Sequence, residues 1–119
     1  MAPDFESLPK RIVWVVNNKE HDLSKATRFG EMLPLFNGNV NILAVDNNLK
    51  HLRKKLELSG PEDYLLVCGS IPANMLAACV MMWLHGKVNL LMFDQRDKEY
   101  KVRIFEMDDL EIIQGGNGE

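Results

Sequence analysis

The sequence predicts a single three-layer α/β domain, Rossmann-like or flavodoxin-like, with a mostly parallel sheet. Strand-like apolar runs alternate with helix-like periodic segments, which is the pattern of β-α-β folds. The 119 residues, 46% of them hydrophobic, suffice for one core but not for two comfortable domains. We expect the domain to span residues 10–113, between a flexible N-terminal segment (1–9) and a disordered tail (114–119).

The first half of the chain predicts two strands and two helices. Residues 11–16 are apolar at nearly every position, which is typical of a strand covered on both faces. A helix is predicted to begin at Asp22 or Ser24 and to end at Pro34, because apolar residues recur there at intervals of three and four. Residues 41–45 are predicted to form the second strand.

The second predicted helix follows Asp46-Asn47-Asn48, any of which can cap it, and ends at Gly60-Pro61. Its inward stripe is Leu49, Leu52 and Leu56. Its outer face carries a basic run of side chains: Lys50, His51, Arg53, Lys54 and Lys55.

The second half predicts a third strand at residues 64–68 and a helix at 72–85 that Gly86 ends. That helix is apolar almost all round, so it is either buried or packed against another subunit. Strands at 88–93 and 100–105 are predicted to form an antiparallel edge hairpin. A further short edge strand is possible around Leu110, Ile112 and Ile113.

The favoured strand order is 2-1-3-4-5, because it places the first and third strands, the most apolar early ones, in the middle of the sheet. In open sheets of this kind ligands collect beyond the carboxyl ends of the strands, where chain direction reverses. The loops at 17–24 and 69–74 are expected to meet there. The candidate ligand-binding residues are Asn17, Asn18, His21, Ser24, Gly69, Ser70 and Asn74.

Two functional interpretations of these loops stay open. His21 is the group there that titrates near neutrality, so in an enzyme His21 would be the general acid or base and Asp22 would orient it. Asn, Asp and Ser are also the preferred residues of turns and helix caps, with or without a ligand. Neither GxGxxG nor GxxxxGK[ST] occurs in the sequence, so no dinucleotide or Walker-type site and no cofactor is predicted. No metal site is predicted either, because no CxxC or Cys/His spacing is present.

Net charge, the cysteines and the length of the apolar stretches argue against a nucleic-acid-binding, a disulfide-bonded or a membrane-spanning protein. The net charge is -3, whereas dedicated polyanion binders normally show a basic excess. The basic run at 50–55 is interpreted as a solvated helix face rather than a nucleic-acid site, because no aromatic residues interleave with it. Cys68 and Cys79 are expected to be reduced core thiols. The longest apolar stretch, 75–84, is too short to span a membrane, and a cytoplasmic protein is expected.

Three stretches resemble small uncharacterised proteins encoded by tailed bacteriophages. They are Val-Val-Asn-Asn-Lys-Glu-His-Asp-Leu-Ser-Lys-Ala (15–26), Asp-Tyr-Leu-Leu-Val-Cys-Gly-Ser (63–70) and His-Gly-Lys-Val-Asn-Leu-Leu-Met-Phe-Asp (85–94). The resemblance spans roughly residues 11 to 105. It implies a viral source, a host-cytoplasmic location and a standalone domain, and it carries over no catalytic residue. More loosely, the architecture is similar to Rossmann-like nucleotide-binding domains, which is an analogy of fold.

Three functions therefore follow as hypotheses. The first is a protein that binds a nucleotide or another phosphorylated or sugar-like metabolite, and that sequesters a host signalling nucleotide. The second is a hydrolase or phosphodiesterase-like enzyme that uses His21, with Asp22 and Ser70 in support. The third is an interaction protein without a small ligand, which forms a homodimer through helix 72–85 or the 88–105 hairpin, or which inhibits a host protein.

Overall fold

A single mixed sheet organises the chain in the computed structural model, which describes residues 11–17 and 23–109. Within these residues the sheet has five strands in the order β2-β1-β3-β4-β5. Neighbouring strands are parallel, except for the antiparallel β4–β5 hairpin. The α/β class and the order 2-1-3-4-5 are thus confirmed. The strands are β1 (Ile12–Asn17), β2 (Glu31–Phe36), β3 (Tyr64–Leu66), β4 (Lys87–Asp94) and β5 (Glu99–Glu106).

The predicted position of the second strand is wrong. Residues 41–44 form a turn and Val45 begins a helix, whereas the strand beside β1 is Glu31–Phe36. Pro34, expected to end a helix, lies inside β2. A proline, which has no N–H to donate, is tolerated there because β2 is an edge strand of the described sheet.

The predicted helix before Pro34 is also wrong in extent, because it shrinks to a six-residue 3₁₀ helix at Ser24–Phe29. Gly30 ends this helix with a φ of 153°. A Cβ added to Gly30 would lie 2.3 Å from the carbonyl oxygen of Arg11, so only glycine fits. The chain can therefore turn at once into β2.

Helices α1 (Val45–Leu56) and α2 (Ile71–His85) lie on the same face of the sheet. Both connections cross the sheet in one direction, so right-handed crossovers place both helices on one side. Their core includes Trp14 and Leu65 from the sheet, Leu52 from α1 and Ala77 from α2. The opposite face packs against the 3₁₀ helix through Val15, Leu66, Tyr100 and Ala26, among others.

The observed helix ends agree only in part with the ends predicted from the sequence. Leu52 and Leu56 form the predicted inward stripe of α1 and are fully buried, with Leu49 packed beside them. Ala44 is the N-cap of α1, so the predicted capping by residues 46–48 is wrong, and the helix ends at Leu56, before Gly60-Pro61. For α2, Ser70 is the N-cap and Gly86 the left-handed C-cap.

The outward side of α2 is more exposed than a core helix would be. Ile71, Met75 and Trp83 expose 75%, 63% and 68% of their surface. Cys79 lies between them and is exposed, so its prediction as a core thiol is wrong, whereas Cys68 is half-buried; both are free cysteines. The predictions for residues 1–9, for Leu110, Ile112 and Ile113, and for 114–119 fall outside the described residues.

Candidate ligand-binding site at the carboxyl edge of the sheet

The end of β1 and the residues that follow β3 lie side by side at the carboxyl edge of the sheet. Asn17 is the last residue of β1, and Gly69 follows β3 with a φ of 86°. A Cβ added to Gly69 would lie 3.0 Å from Cβ of Asn17. The thiol of Cys68 donates a hydrogen bond to the backbone oxygen of Asn17, at 2.9 Å. Strand order reverses between β1 and β3, so this junction lies where α/β folds bind ligands.

The Asn17 side chain links this junction to the loop after β2. Its Nδ2 donates to the carbonyl oxygen of Gly38 at 2.7 Å, and the residue is only 7% exposed. Buried amide groups of this kind are hydrogen-bonded because an unpaired one would cost free energy. Asn17 therefore holds the ends of β1 and β2 together.

Asn74 and Ser70 shape the second loop. Asn74 accepts a hydrogen bond from the Cys68 N–H through Oδ1 (3.1 Å) and donates through Nδ2 to the carbonyl oxygens of Cys68 (3.0 Å) and Ser70 (2.7 Å). The Ser70 hydroxyl accepts from the N–H of Ala73, at 3.3 Å. These are the contacts of a cap and a turn, and they fix the backbone of 68–70 against the start of α2.

An open cleft of about 520 Å³ adjoins this junction, between the 3₁₀ helix and the β4–β5 hairpin. We call it the edge cleft. Its lining residues include two lysines, two aromatic side chains and no carboxylate. They are Lys25, Val67, Cys68, Phe93, Gln95, Lys98 and Tyr100.

The edge cleft is held in shape by one hydrogen bond between the 3₁₀ helix and the β4–β5 hairpin and by packing within the hairpin. The Lys25 Nζ donates to the carbonyl oxygen of Lys98 at 2.7 Å, which ties the 3₁₀ helix to the hairpin turn. The rings of Phe93 and Tyr100 pack edge to face with centroids 5.2 Å apart. Lys98 adopts a φ of 57°, unusual for a residue with a side chain, at the point where the turn re-enters β5.

Charge and acidity define what the edge cleft can do chemically. Burial raises the pKa of the Cys68 thiol, and its hydrogen bonds to the backbone only partly offset this effect. The thiol is therefore protonated at neutral pH and is a poor nucleophile. Nearby, Asp97 is paired with Lys101 at 2.6 Å, which raises the pKa of Lys101. The two lysines of the cleft thus favour an anion, whereas the thiol does not favour covalent chemistry.

The structure brings together four of the seven predicted ligand-binding residues: Asn17, Gly69, Ser70 and Asn74. Ser24 lines an adjoining cleft of about 310 Å³, which shares Lys25 and Tyr100 with the edge cleft. Asn18, His21 and Asp22 lie outside the described residues, so the catalytic role of His21 and Asp22 stays a prediction.

Sequence reasoning missed Lys25, Phe93, Lys98 and Tyr100. A signal for three of them was present, because β4 is parallel to β3 and its carboxyl end must reach the same edge of the sheet. The predicted turn at 94–99 therefore had to lie beside the predicted loops. The position of Lys25 depends on the 3₁₀ helix, which the sequence pattern predicted as a longer helix.

Among residues 11–17 and 23–109, no three His, Cys, Asp or Glu side chains are placed to share a metal ion. Across the same residues, no helix combines the length and the apolar character that a membrane crossing requires.

The fold and the site define a class: α/β proteins with a flavodoxin-like strand order and an open cleft beside the reversal of strand order. Residues 11–107 match the family model described as phage Pam3 gp32-like protein, so the chain belongs to this family and is a phage protein. No curated protein and no solved structure matches the chain.

Proposed function

We propose that the protein binds a small phosphorylated ligand, a nucleotide or a sugar phosphate, in the edge cleft. One observation carries the proposal: Lys25 and Lys98 face a cleft with two aromatic rings and no carboxylate, beside the Asn17–Gly69 junction. In a phage protein that acts in the host cytoplasm, such binding would sequester a host signalling nucleotide.

Each part of such a ligand finds a matching group in the edge cleft. Lysine ammonium groups carry several donors and bind phosphate as point charges. Phe93, packed against the mostly buried ring of Tyr100, offers apolar surface to a base or a sugar ring. We therefore expect phosphate at the lysines and the apolar part of the ligand at the two rings.

A thermal-shift screen tests this function. The panel consists of nucleoside mono-, di- and triphosphates, cyclic dinucleotides and oligonucleotides, sugar phosphates and inorganic pyrophosphate. We expect a saturable rise in Tm with at least one compound, since a ligand that binds the folded state stabilises it by mass action. A flat response across the panel, with a protein that unfolds cooperatively, would overturn the proposal.

Matched charge variants locate the binding. Lys25→Gln/Lys98→Gln should weaken the binding of the strongest hit at least tenfold, because both cations of the edge cleft are removed. Lys87→Gln/Arg103→Gln removes two cations that line none of the clefts described above, and should change the affinity less than threefold. Equal losses in the two variants would point to nonspecific attraction and contradict the assignment.

The hydrolase hypothesis shares this site and has a separate readout. If the protein cleaves the ligand it binds, His21→Ala should abolish turnover and leave most of the affinity unchanged. A bound compound that is recovered intact after prolonged incubation would eliminate the hydrolase.

A specific observation favours a second candidate function, self-association through α2. Ile71, Met75 and Cys79 follow one another at intervals of four on the exposed side of the helix, where apolar residues form a ridge. Sedimentation at micromolar concentrations should show a dimer that Met75→Lys dissociates. A wild-type protein that stays monomeric at 100 μM would rule it out.

A further inference from the structure

A basic groove with an exposed tryptophan runs between α1 and α2, on the face of the sheet opposite the edge cleft. We call it the interhelical groove. It has a volume of about 420 Å³. Its lining residues are Lys50, Arg53, Lys54, Glu57, Trp83 and Leu84. We propose that this groove binds single-stranded nucleic acid, with a base stacked on Trp83 and phosphates at the α1 cations.

Trp83 is the first support for this proposal. It exposes 68% of its surface, although an indole ring is among the most apolar side chains and is mostly buried in folded proteins. The guanidinium of Arg53 lies over its ring, 4.9 Å from the centroid. Exposed aromatic rings are the surfaces on which unpaired bases stack, and a neighbouring arginine adds cation–π attraction.

The charges of α1 are the second support. Lys50, Arg53 and Lys54 are exposed and lie at intervals of three and four residues, so they share one side of the helix. Lys50 and Lys54 are separated by about 6 Å along the helix axis, which allows each to contact a different phosphate. With Glu57 as the one acid in the lining, the groove is net positive although the whole chain carries a charge of -3.

The basic run at 50–55 is interpreted from the sequence as a solvated face because no aromatic residue interleaves with it, and the structure removes that reason. No aromatic residue lies within residues 50–55, but α2 places Trp83 directly beside them. Stacking on an exposed ring requires an unpaired base, which duplex nucleic acid does not offer. A single strand is therefore favoured over a duplex, and over an acidic polypeptide, which would need the cations but not the open indole.

Tryptophan fluorescence provides a direct test. The chain has two tryptophans, of which Trp14 is 2% exposed and Trp83 is 68% exposed. Titration with (dT)20 and (rU)20 at 50 mM salt should quench the exposed Trp83 emission and leave that of Trp14. Log K should fall with log salt with a slope of about -2, as expected for three phosphate contacts to a single strand.

Variants separate the stacking from the charge contribution, with anisotropy of fluorescein-labelled oligonucleotides as the readout. Trp83→Leu should weaken binding about tenfold, the loss typical of one stacked base, and should leave the salt slope unchanged. Lys50→Gln/Lys54→Gln should weaken binding and make the slope shallower by about 1.4, since two of the three phosphate contacts are lost. The control Arg96→Gln/Arg103→Gln removes two exposed cations that do not line the groove, and should stay within twofold of wild type.

Four outcomes would overturn the proposal. They are no binding of either oligonucleotide at 100 μM protein, unchanged affinity in both groove variants, equal or tighter binding of duplex, and equal competition by poly-glutamate at matched charge. The last outcome would assign the groove to an acidic polypeptide. Binding of one oligonucleotide alone, with the variant pattern above, would support the proposal and identify the sugar that the groove prefers.

Discussion

The backbone of Gly69 lies against the side chain of Asn17, so close that a single added carbon would come within 3.0 Å of Asn17 Cβ. This contact joins the carboxyl ends of β1 and β3, the two central strands between which strand order reverses. Together with the bond from the Cys68 thiol to Asn17, it keeps the loop that starts α2 beside β1. The position of the edge cleft depends on this junction.

Gly69→Ala should destabilise the protein by about 2 kcal/mol, because the new side chain meets both an unfavourable positive φ and the Asn17 side chain. Gly86→Ala is the matched control. Gly86 has a φ of 72° with no atom within 4 Å of the added Cβ, so only the backbone cost of about 1 kcal/mol applies. Urea denaturation measures both values, and equal losses would show that the Asn17 contact is unimportant.

Asp63→Ala should cost about 3 kcal/mol, since the buried carboxylate of Asp63 accepts hydrogen bonds from three N–H groups. The donors are the Ile12 N–H (3.0 Å), the Trp14 indole (3.1 Å) and the Gly60 N–H (2.9 Å).

Two further variants calibrate that loss in the same urea titration. Asp63→Asn keeps one acceptor oxygen, so its loss of stability should be smaller than that of Asp63→Ala but still measurable. Asp97→Ala breaks a solvent-screened ion pair with Lys101 and should leave the urea midpoint close to that of wild type. A small loss for Asp63→Ala would contradict the described network.

How much of the fold could be predicted depended on which residues face the core. The strands at 11–16 and 64–68 are central and apolar on both faces, so their composition located them and placed them side by side in the predicted order. Residues 31–36 form an edge strand, and the spacing of the apolar side chains before Pro34 imitates a helix. Only pairing with β1, which no local pattern encodes, makes these residues a strand.

The candidate site was predictable to the same extent. Asn17 and Gly69 could be placed together because the carboxyl ends of parallel strands share one edge of a sheet. The pairing of Lys25 with the hairpin turn, and of Trp83 with Arg53, joins elements far apart in sequence. Tertiary packing produces both pairs, and no spacing rule within a segment indicates them.

The two cysteines should differ in reactivity. Cys79 is exposed, whereas Cys68 is half-buried and its thiol donates a hydrogen bond to the backbone oxygen of Asn17. With a disulfide reagent at pH 7.5, Cys79 should react within minutes and Cys68 at least tenfold more slowly, since the thiolate is the reactive form. Cys79→Ser should leave only the slow phase and Cys68→Ser only the fast one. Two fast phases in wild type would contradict the burial of Cys68.

Stability should decline at alkaline pH through Cys68. Burial raises the pKa of this thiol in the folded state, so the unfolded chain loses its proton first as pH rises. The contribution is therefore fully present below the ordinary cysteine pKa of about 8.5, and is lost as pH rises toward the folded pKa. Urea midpoints from pH 7 to 10 should fall less steeply in Cys68→Ala than in wild type, with Cys79→Ala as the control. Identical slopes would refute this linkage.

The edge cleft itself is tested most directly by an amide chemical-shift titration of the labelled protein with adenosine 5′-diphosphate, followed by inorganic pyrophosphate. Saturable shifts are expected for Lys25, for residues 68–70 and for the hairpin turn at 94–99, and they should be absent in Lys25→Gln/Lys98→Gln. No shift at 5 mM of either compound, or shifts confined to the interhelical groove, would contradict a ligand site at this edge of the sheet.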